Sequence, residues 1–259
     1  MSDIQTLALQ EALTNQLRQL ARTCLHLRLE PGEPSKTEPE SGFGGRPWWP
    51  EGEAWPLCDT CGQPLEFICQ LRLDGGGHWR PDHYDLLSFF SCWQCSQSDG
   101  STDERPGGDR CRMRLFHLAD QPLTALPLPD VPTRQVGLLS CLVVGTPALD
   151  TPGWQDVVDE FAAIAPHALD TLAAYYLLAE QEVLHGHEHR LQSQLGGYPH
   201  WISESAWPEC RWCGGQMYLL AQIVPGEYAG INWSNGRTAY LFCCAEPCDP
   251  EALTLVLQG

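Results

Sequence analysis

The stretch SGFGGRPWWPEGEAWPLCDTCGQPLEFICQL, residues 41–71, decides the fold, because the chain repeats its pattern as SQLGGYPHWISESAWPECRWCGGQMYLLAQI at residues 193–223. The two segments align without a gap at an offset of 152 residues, and twelve of the 31 positions are identical. The identities include Trp, Cys and Pro residues, which chance rarely places at the same spacing. The shared pattern GG-x-P-x-W-x(4)-A-W-P-x-C-x-x-C-G therefore predicts an internal duplication.

The cysteines of each copy have the spacing of a metal site. Each copy has a Cys-x-x-Cys, then 30 residues, then a second cysteine pair. Four thiolates bind zinc tetrahedrally, and two ligands from one tight turn suit that geometry. A glycine after each first pair, Gly62 or Gly214, allows the positive φ of such a turn. We expect two zinc ribbons, held by Cys58, Cys61, Cys92 and Cys95, and by Cys210, Cys213, Cys244 and Cys248.

In the second copy, the identity of one ligand is undecided. Its second pair reads Cys244-Ala245-Glu246-Pro247-Cys248, and Cys243 competes with Cys244 for the ligand role. The repeat favours Cys244, because that residue aligns with Cys92. A site closed by four thiolates has no open position for water or substrate, so both zinc ions should be structural rather than catalytic.

Strands should connect the cysteine pairs, and helices should lie outside the repeats. The apolar segments 65–71, 86–90, 217–223 and 239–242 favour strands. Residues 2–22 predict a helix with a stripe of Ile4, Leu7, Leu13, Leu17 and Leu20, followed by a strand at 25–29. Between the copies, residues 137–144 predict a buried strand, and 154–165 and 170–184 predict helices.

These elements predict an α+β fold, a pseudo-two-fold duplicated β-rich unit with a zinc ribbon in each half. We expect an N-terminal helix and strand (1–40), repeat one with its zinc ribbon (41–112), a connecting strand and helices (113–192), and repeat two with its zinc ribbon (193–259). A chain of 259 residues can bury these parts as one compact globular unit.

The charge favours a protein partner over nucleic acid. The formal net charge is −18, and Lys36 is the only lysine. Nucleic acid needs a basic surface, whereas an acidic surface attracts a basic protein or only keeps the chain soluble. The sequence lacks a long apolar run and a basic start followed by an apolar stretch, so we expect a cytoplasmic protein that does not enter the membrane.

Further candidate residues lie outside the cysteine sets. Trp49 and Trp201 close the two Gly-Gly-x-Pro-x-Trp elements; they should dock into the core of each half, and a peptide-binding shelf is the alternative. His78 and His83 are candidate binding residues, and with Asp82 and Asp85 they would form an enzyme site in the first ribbon's loop. His185, His187 and His189 follow a predicted helix end, which is typical of a solvated tail.

The quoted residues resemble the YwqG-like family, a bacterial domain of unknown function. The run SGFGGRPWWPEG...WPLCDTCGQPLEFICQL carries the resemblance, with QLGGYPHWI, LLAQI and INWSNGRTAYLF in the same order, over about residues 25–245. The pattern Gly-Gly-x-Pro-x-Trp...Cys-x-x-Cys-Gly...Gln is also similar, over a shorter stretch, to the eukaryotic programmed-cell-death-two family of ribosomal-protein chaperones. The resemblance implies no catalytic residues.

Charge and resemblance together predict a non-enzymatic protein that binds and shields a basic partner. One form is an immunity protein, an antitoxin that neutralises a bacterial toxin. The other is a chaperone-like escort of a ribosomal or other basic protein. An enzyme with a site in the first ribbon's loop is the third hypothesis.

Overall fold

The computed structural model describes residues 3–35, 37–73, 84–96, 110–129, 138–162, 169–185, 191–226, 230–231, 236–246 and 248–259. Helices in this part of the chain are α1 (Asp3–Leu20), α2 (Trp93–Ser96), α3 (Trp154–Ala162) and α4 (Leu169–Val183). The strands are β1 (Arg22–Pro31), β2 (Gly42–Phe43), β3 (Trp48–Pro50), β4 (Glu66–Arg72), β5 (Leu86–Ser91), β6 (Cys111–Phe116), β7 (Leu123–Ala125), β8 (Cys141–Asp150), β9 (Gln194–Gly196), β10 (Met217–Ile223), β11 (Thr238–Cys244) and β12 (Leu253–Gln258).

A ten-stranded sheet in the order β12-β11-β10-β9-β1-β8-β2-β4-β5-β6 organises the described residues. The sheet nearly closes on itself. Leu115 of the edge strand β6 donates its N–H to the carbonyl of Pro250, just before β12, at 3.1 Å. Arg112 also pairs with Glu251 at 3.4 Å. We call this junction between β6 and residues 249–252 the closing seam.

The strands of the first half of the chain begin with β1, and those of the second half begin with β8. In the sheet, each of these two strands lies beside the strands of the other half. Strands β2, β4, β5 and β6 follow β1 along the chain, yet they lie on the far side of β8. Strands β9 to β12 follow β8, yet they lie on the far side of β1. The antiparallel β1–β8 pair, which runs from Arg22↔Asp150 to Pro31↔Cys141, is therefore the centre of the sheet.

The two halves also repeat their local structure at the offset of 152. Gln70 accepts the N–H of Trp48 at 2.9 Å, and Gln222 accepts that of His200 at 2.8 Å. Ser41 and Ser193 each accept a backbone N–H, from Arg72 at 2.8 Å and from Val224 at 3.0 Å. The register shift between Phe67 and Cys69 recurs between Leu219 and Ala221. Matching sequence positions therefore occupy matching structural positions.

The apolar side chains form one shared cluster and three smaller ones. The shared cluster draws Phe89 and Leu71 from the first half and Leu241 and Ile223 from the second, so it joins the halves. A second cluster packs around Trp49 beside the first cysteine set, and a third around Phe242 beside the second set. Each cysteine set therefore lies against its own apolar cluster.

The helices form the fourth cluster, in which Leu13 and Leu17 of α1 pack against Tyr176 of α4. The predicted stripe was wrong at Leu7, whose side chain is exposed, whereas Leu9 packs against the cluster. Among the α1 residues whose burial is described, the fully buried leucines are therefore Leu13 and Leu17, in the second half of the helix. In the described part of the chain, no helix is both long and apolar enough to cross a membrane.

The strand predicted at 137–144 lies further along the chain than expected. Strand β8 spans Cys141–Asp150, and its residues 144–147 are exposed. The predicted strand therefore overlaps β8 only at residues 141–144, and within that overlap only Cys141 is buried. Strand β2 is only two residues long and pairs with β8 only at Cys141 and Leu142, so within the described part of the chain it leaves the exposed residues 144–147 without a partner strand on that side. Residue 137 and the helix residues predicted at 163–165 lie outside the described residues.

Candidate metal centres

The first cysteine set joins a tight Cys-x-x-Cys-Gly turn, here called the knuckle, to the end of a strand. Cys58 donates its N–H to the Gln63 carbonyl at 2.8 Å, and Gly62 donates its own to the Cys58 carbonyl at 2.7 Å. Gly62 has a φ of 69°, as the sequence predicted. Cys92 directly follows β5, and Cys95 lies in the short helix α2. The β4–β5 hairpin thus returns the second pair to the first.

The second set repeats this construction. Cys210 donates its N–H to the Gly215 carbonyl at 2.8 Å, and Gly214 donates to the Cys210 carbonyl at 2.7 Å. Gly214 has a φ of 70°. Cys244 ends β11, and Cys248 lies in the connection to β12.

The sulfur positions in both sets fit one tetrahedral metal ion. Within each set, all four Sγ atoms lie within 4.8 Å of one another. Among the pairs, Cys58–Cys95 are 3.9 Å apart, Cys61–Cys92 3.7 Å, and Cys213–Cys244 and Cys244–Cys248 3.5 Å. Zinc–sulfur bonds of about 2.3 Å give a tetrahedral edge of about 3.8 Å. The separations are too long for disulfides, and none of the thirteen cysteines, all of which lie in the described part of the chain, forms one. Both sets could therefore hold a metal ion.

The structure separates Cys243 from Cys244. Successive residues of β11 point to opposite faces of the sheet. Cys244 joins the second set, whereas Cys243 lies in the shared apolar cluster. Burial raises the pKa of Cys243 to about 12, which keeps its thiol protonated. Of these two neighbouring cysteines, Cys244 is the one placed to bind a metal ion with the other members of the second set.

Burial and hydrogen bonds act in opposite directions on the sulfur atoms. Burial raises the pKa of Cys95 to about 11 and raises those of Cys92 and Cys244 further. A backbone hydrogen bond from Gln63 lowers the pKa of Cys61. At Cys210, burial raises the pKa, but hydrogen bonds from the backbone of Cys213 and Trp212 and from the Cys244 and Cys213 side chains together outweigh it, so the pKa falls to about 7. A divalent ion would offset the cost of the buried thiolates.

The two sets differ in exposure. In the first set, Cys61 is partly exposed and its three companions are buried. In the second set, Cys213 and Cys248 are exposed. The second set is therefore open to solvent on one side.

The other candidate residues have varied surroundings. Trp49 is 3% exposed and packs edge-on against Phe90 at 5.1 Å, which agrees with docking in the core. Trp201 is half-buried and stacks on Phe242 at 5.8 Å. A binding role for either tryptophan stays a prediction.

The histidine candidates lie mostly outside the described part of the chain. His78, Asp82 and His83 are not among the described residues, so the loop site stays a prediction. Asp85 accepts the Leu118 N–H at 3.0 Å. Of the three histidines at the end of α4, His185 is exposed, and His187 and His189 are outside the described residues.

Sequence reasoning missed a buried polar centre in the second half. The Asp150 carboxylate accepts hydrogen bonds from the Tyr198 N–H at 2.7 Å and the Gln194 side chain at 2.9 Å. The His200 Nε2 lies 3.1 Å from the same carboxylate. The signal was a departure from the repeat, because Trp48 and Gly42 occupy the positions of His200 and Gln194 in copy one.

The fold and the two cysteine sets define a class of protein: a near-closed ten-stranded sheet that carries in each half a four-cysteine set able to hold a metal ion. Within that class, the chain belongs to the family of the domain of unknown function DUF1963, whose model matches residues 41–246. This match is consistent with the YwqG-like resemblance, and no similarity to the programmed-cell-death-two family is shown. A search of curated proteins finds no match.

Proposed function

We propose that the chain holds two structural zinc ions and acts as a non-enzymatic protein that binds a basic protein partner. The observation that carries the zinc proposal is the pair of four-cysteine sets with tetrahedral spacing. Thiolates favour zinc among the common divalent ions, and four of them close its coordination shell. Each ion then ties a knuckle to a strand end and organises the fold.

Metal analysis tests the zinc proposal. We expect about two zinc ions per chain in protein purified without chelator. Zinc sites are colourless, whereas iron bound to four cysteines is coloured. Iron in place of zinc, or a metal content near zero, would contradict the proposal.

We further infer that the two halves arose by duplication. The support is the gap-free alignment, together with the matched hydrogen bonds of Gln70 and Gln222. The second site would then be a copy of the first, and both would hold the same metal.

The charge supports a basic partner. Four thiolates and one divalent ion sum to −2, so two filled sites would take the formal charge from −18 to −22. Such a field speeds the approach of a basic protein and weakens as salt rises. Exposed apolar side chains, among them Trp212 and Tyr218 at 44% each, would add contact area once the partner is bound.

The more specific form of this proposal is an immunity protein that neutralises a basic bacterial toxin. Escort of a ribosomal protein is the alternative, because ribosomal proteins are also basic. The gene neighbourhood separates the two forms, since a toxin gene beside this one favours immunity.

Affinity purification from the native host, at low and at high salt, tests the partner proposal. We expect a basic protein that is retained at low salt and lost at high salt. An acidic or neutral partner, or a basic one retained equally at both salt concentrations, would contradict electrostatic recognition.

A further inference from the structure

The starting point is the exposure of the second cysteine set. Oxidation of a cysteine requires that the oxidant reach its sulfur. In the first set three cysteines are buried and Cys61 is partly exposed, whereas Cys213 and Cys248 of the second set are exposed. A small oxidant can therefore reach two ligands of the second set directly.

The second observation is the place of this set in the fold. Cys248 lies two residues before Pro250, whose carbonyl accepts the Leu115 N–H of the closing seam. Glu251, which pairs with Arg112, follows at once. Cys244 donates its N–H to the Ala252 carbonyl at 3.0 Å. A metal ion shared by Cys244 and Cys248 would therefore hold residues 249–252 at both ends. Cys248 precedes the segment directly, and Cys244 is hydrogen-bonded to Ala252 at its end.

We propose that the second cysteine set is a peroxide-sensitive clasp, at which oxidation of an exposed thiolate releases zinc and loosens the closing seam. This proposal rests on the zinc proposal above. The co-reactant is a hydroperoxide, with hydrogen peroxide as the simplest member.

The reaction takes two steps. The thiolate of Cys213 or Cys248 attacks one peroxide oxygen, the O–O bond breaks, and hydroxide leaves to become water with a solvent proton. A second thiolate of the set attacks the resulting sulfenic sulfur, so that an S–S bond forms and the S–O bond breaks. The second hydroxide also takes up a proton. Two thiolates lose two electrons, peroxide becomes two water molecules, and zinc leaves with half of its ligands gone.

Zinc release from the full-length, zinc-loaded chain tests this reaction. A metal-sensitive dye follows release after hydrogen peroxide is added. We expect two phases, each of one zinc ion per chain, with the fast phase from the second set. Peptide mapping after the fast phase should find a disulfide that contains Cys213 or Cys248. A single phase, or a first disulfide within the Cys58 set, would overturn the proposal.

Two matched variants assign the phases. Cys58→Ser removes a ligand of the first set, and its remaining zinc should leave in the fast phase. Cys210→Ser removes the equivalent ligand of the second set, and its remaining zinc should leave in the slow phase. If either variant does not fold, the two release phases and the peptide map of the unaltered chain still show which cysteine set loses its zinc first. A failed zinc proposal would show earlier, as a chain that holds no zinc before peroxide is added.

Hydrogen exchange tests the effect on the fold. After the fast phase, we expect faster exchange at β6 and at residues 249–253, with little change at β4. Unchanged exchange at the seam would overturn the clasp, even if zinc were released.

Discussion

Two adjacent cysteines have opposite roles, because the strand β11 places them on opposite faces. Cys244 lies in the second cysteine set, and Cys243 lies in the shared apolar cluster. We predict that Cys244→Ser lowers the zinc content from about two ions per chain to about one, since the substitution removes one of the four thiolates that close the tetrahedral site. Cys243→Ala is the matched control and should keep both ions. Elemental analysis measures the result, and zinc loss in the control alone would reverse the assignment.

A second prediction concerns a glycine that the repeat conserves in both copies. Gly197 has a φ of 74°, and a Cβ there would collide with the Asp150 carboxylate and lie 3.0 Å from the Gln194 side chain. Both neighbours are held by the polar centre, so neither can move freely. Gly197→Ala should therefore destabilise the protein by more than the roughly 1–2 kcal/mol of left-handed strain alone.

Gly52 provides the control for that substitution. Its φ is 84°, and a Cβ there would meet nothing within 4 Å. Gly52→Ala should cost only the strain, about 1–2 kcal/mol. Denaturant unfolding compares the two variants, and equal free energies of unfolding would refute a steric role for Asp150.

Among the elements, helix α1 depends on tertiary packing. Leu13 is fully buried against α4, whereas Leu7 is 67% exposed. We predict that Leu13→Ala lowers the free energy of unfolding by about 2–5 kcal/mol, the usual cost of a buried leucine truncation. Leu7→Ala should change it by less than about 0.5 kcal/mol. Thermal or denaturant unfolding measures both, and a large effect at Leu7 would place the packed face elsewhere.

The elements that sequence predicted best are those with a local signal. The predicted segment 217–223 is β10 in full, and the segments 65–71 and 86–90 lie within one residue of β4 and β5. Their apolar runs end at the cysteines and turns that stop the strands. The strand at 137–144 was predicted to start too early and to be buried; β2 pairs with β8 only at Cys141 and Leu142, and local sequence carries no signal for the length of a neighbouring strand.

At the scale of the whole molecule, the exchange of β1 and β8 makes each half depend on the other. The β1–β8 pair spans both strands over their full length, and β2 and β9 then attach to the strand from the opposite half. We predict that residues 1–137 and 138–259, produced separately, do not reach the native fold. Each would lack the strand on which its own sheet is built.

Mixing the two fragments should restore the fold. Two-dimensional NMR spectra would show narrow dispersion for each fragment alone and native dispersion after mixing. A fragment that folds alone and holds one zinc ion would show that the strand exchange is not required.

The sequence by itself determined the repeat, the eight cysteines of the two sets and the glycines of their knuckles. These features are local, because spacing along the chain places a Cys-x-x-Cys-Gly in one tight turn and a strand pair brings back the second cysteine pair. Tertiary structure alone decided the strand exchange, the closing seam, the polar centre around Asp150 and the exposure of Cys213 and Cys248. Each of these depends on which distant strands become neighbours, and that choice is made by the burial of the whole sheet rather than by any single segment.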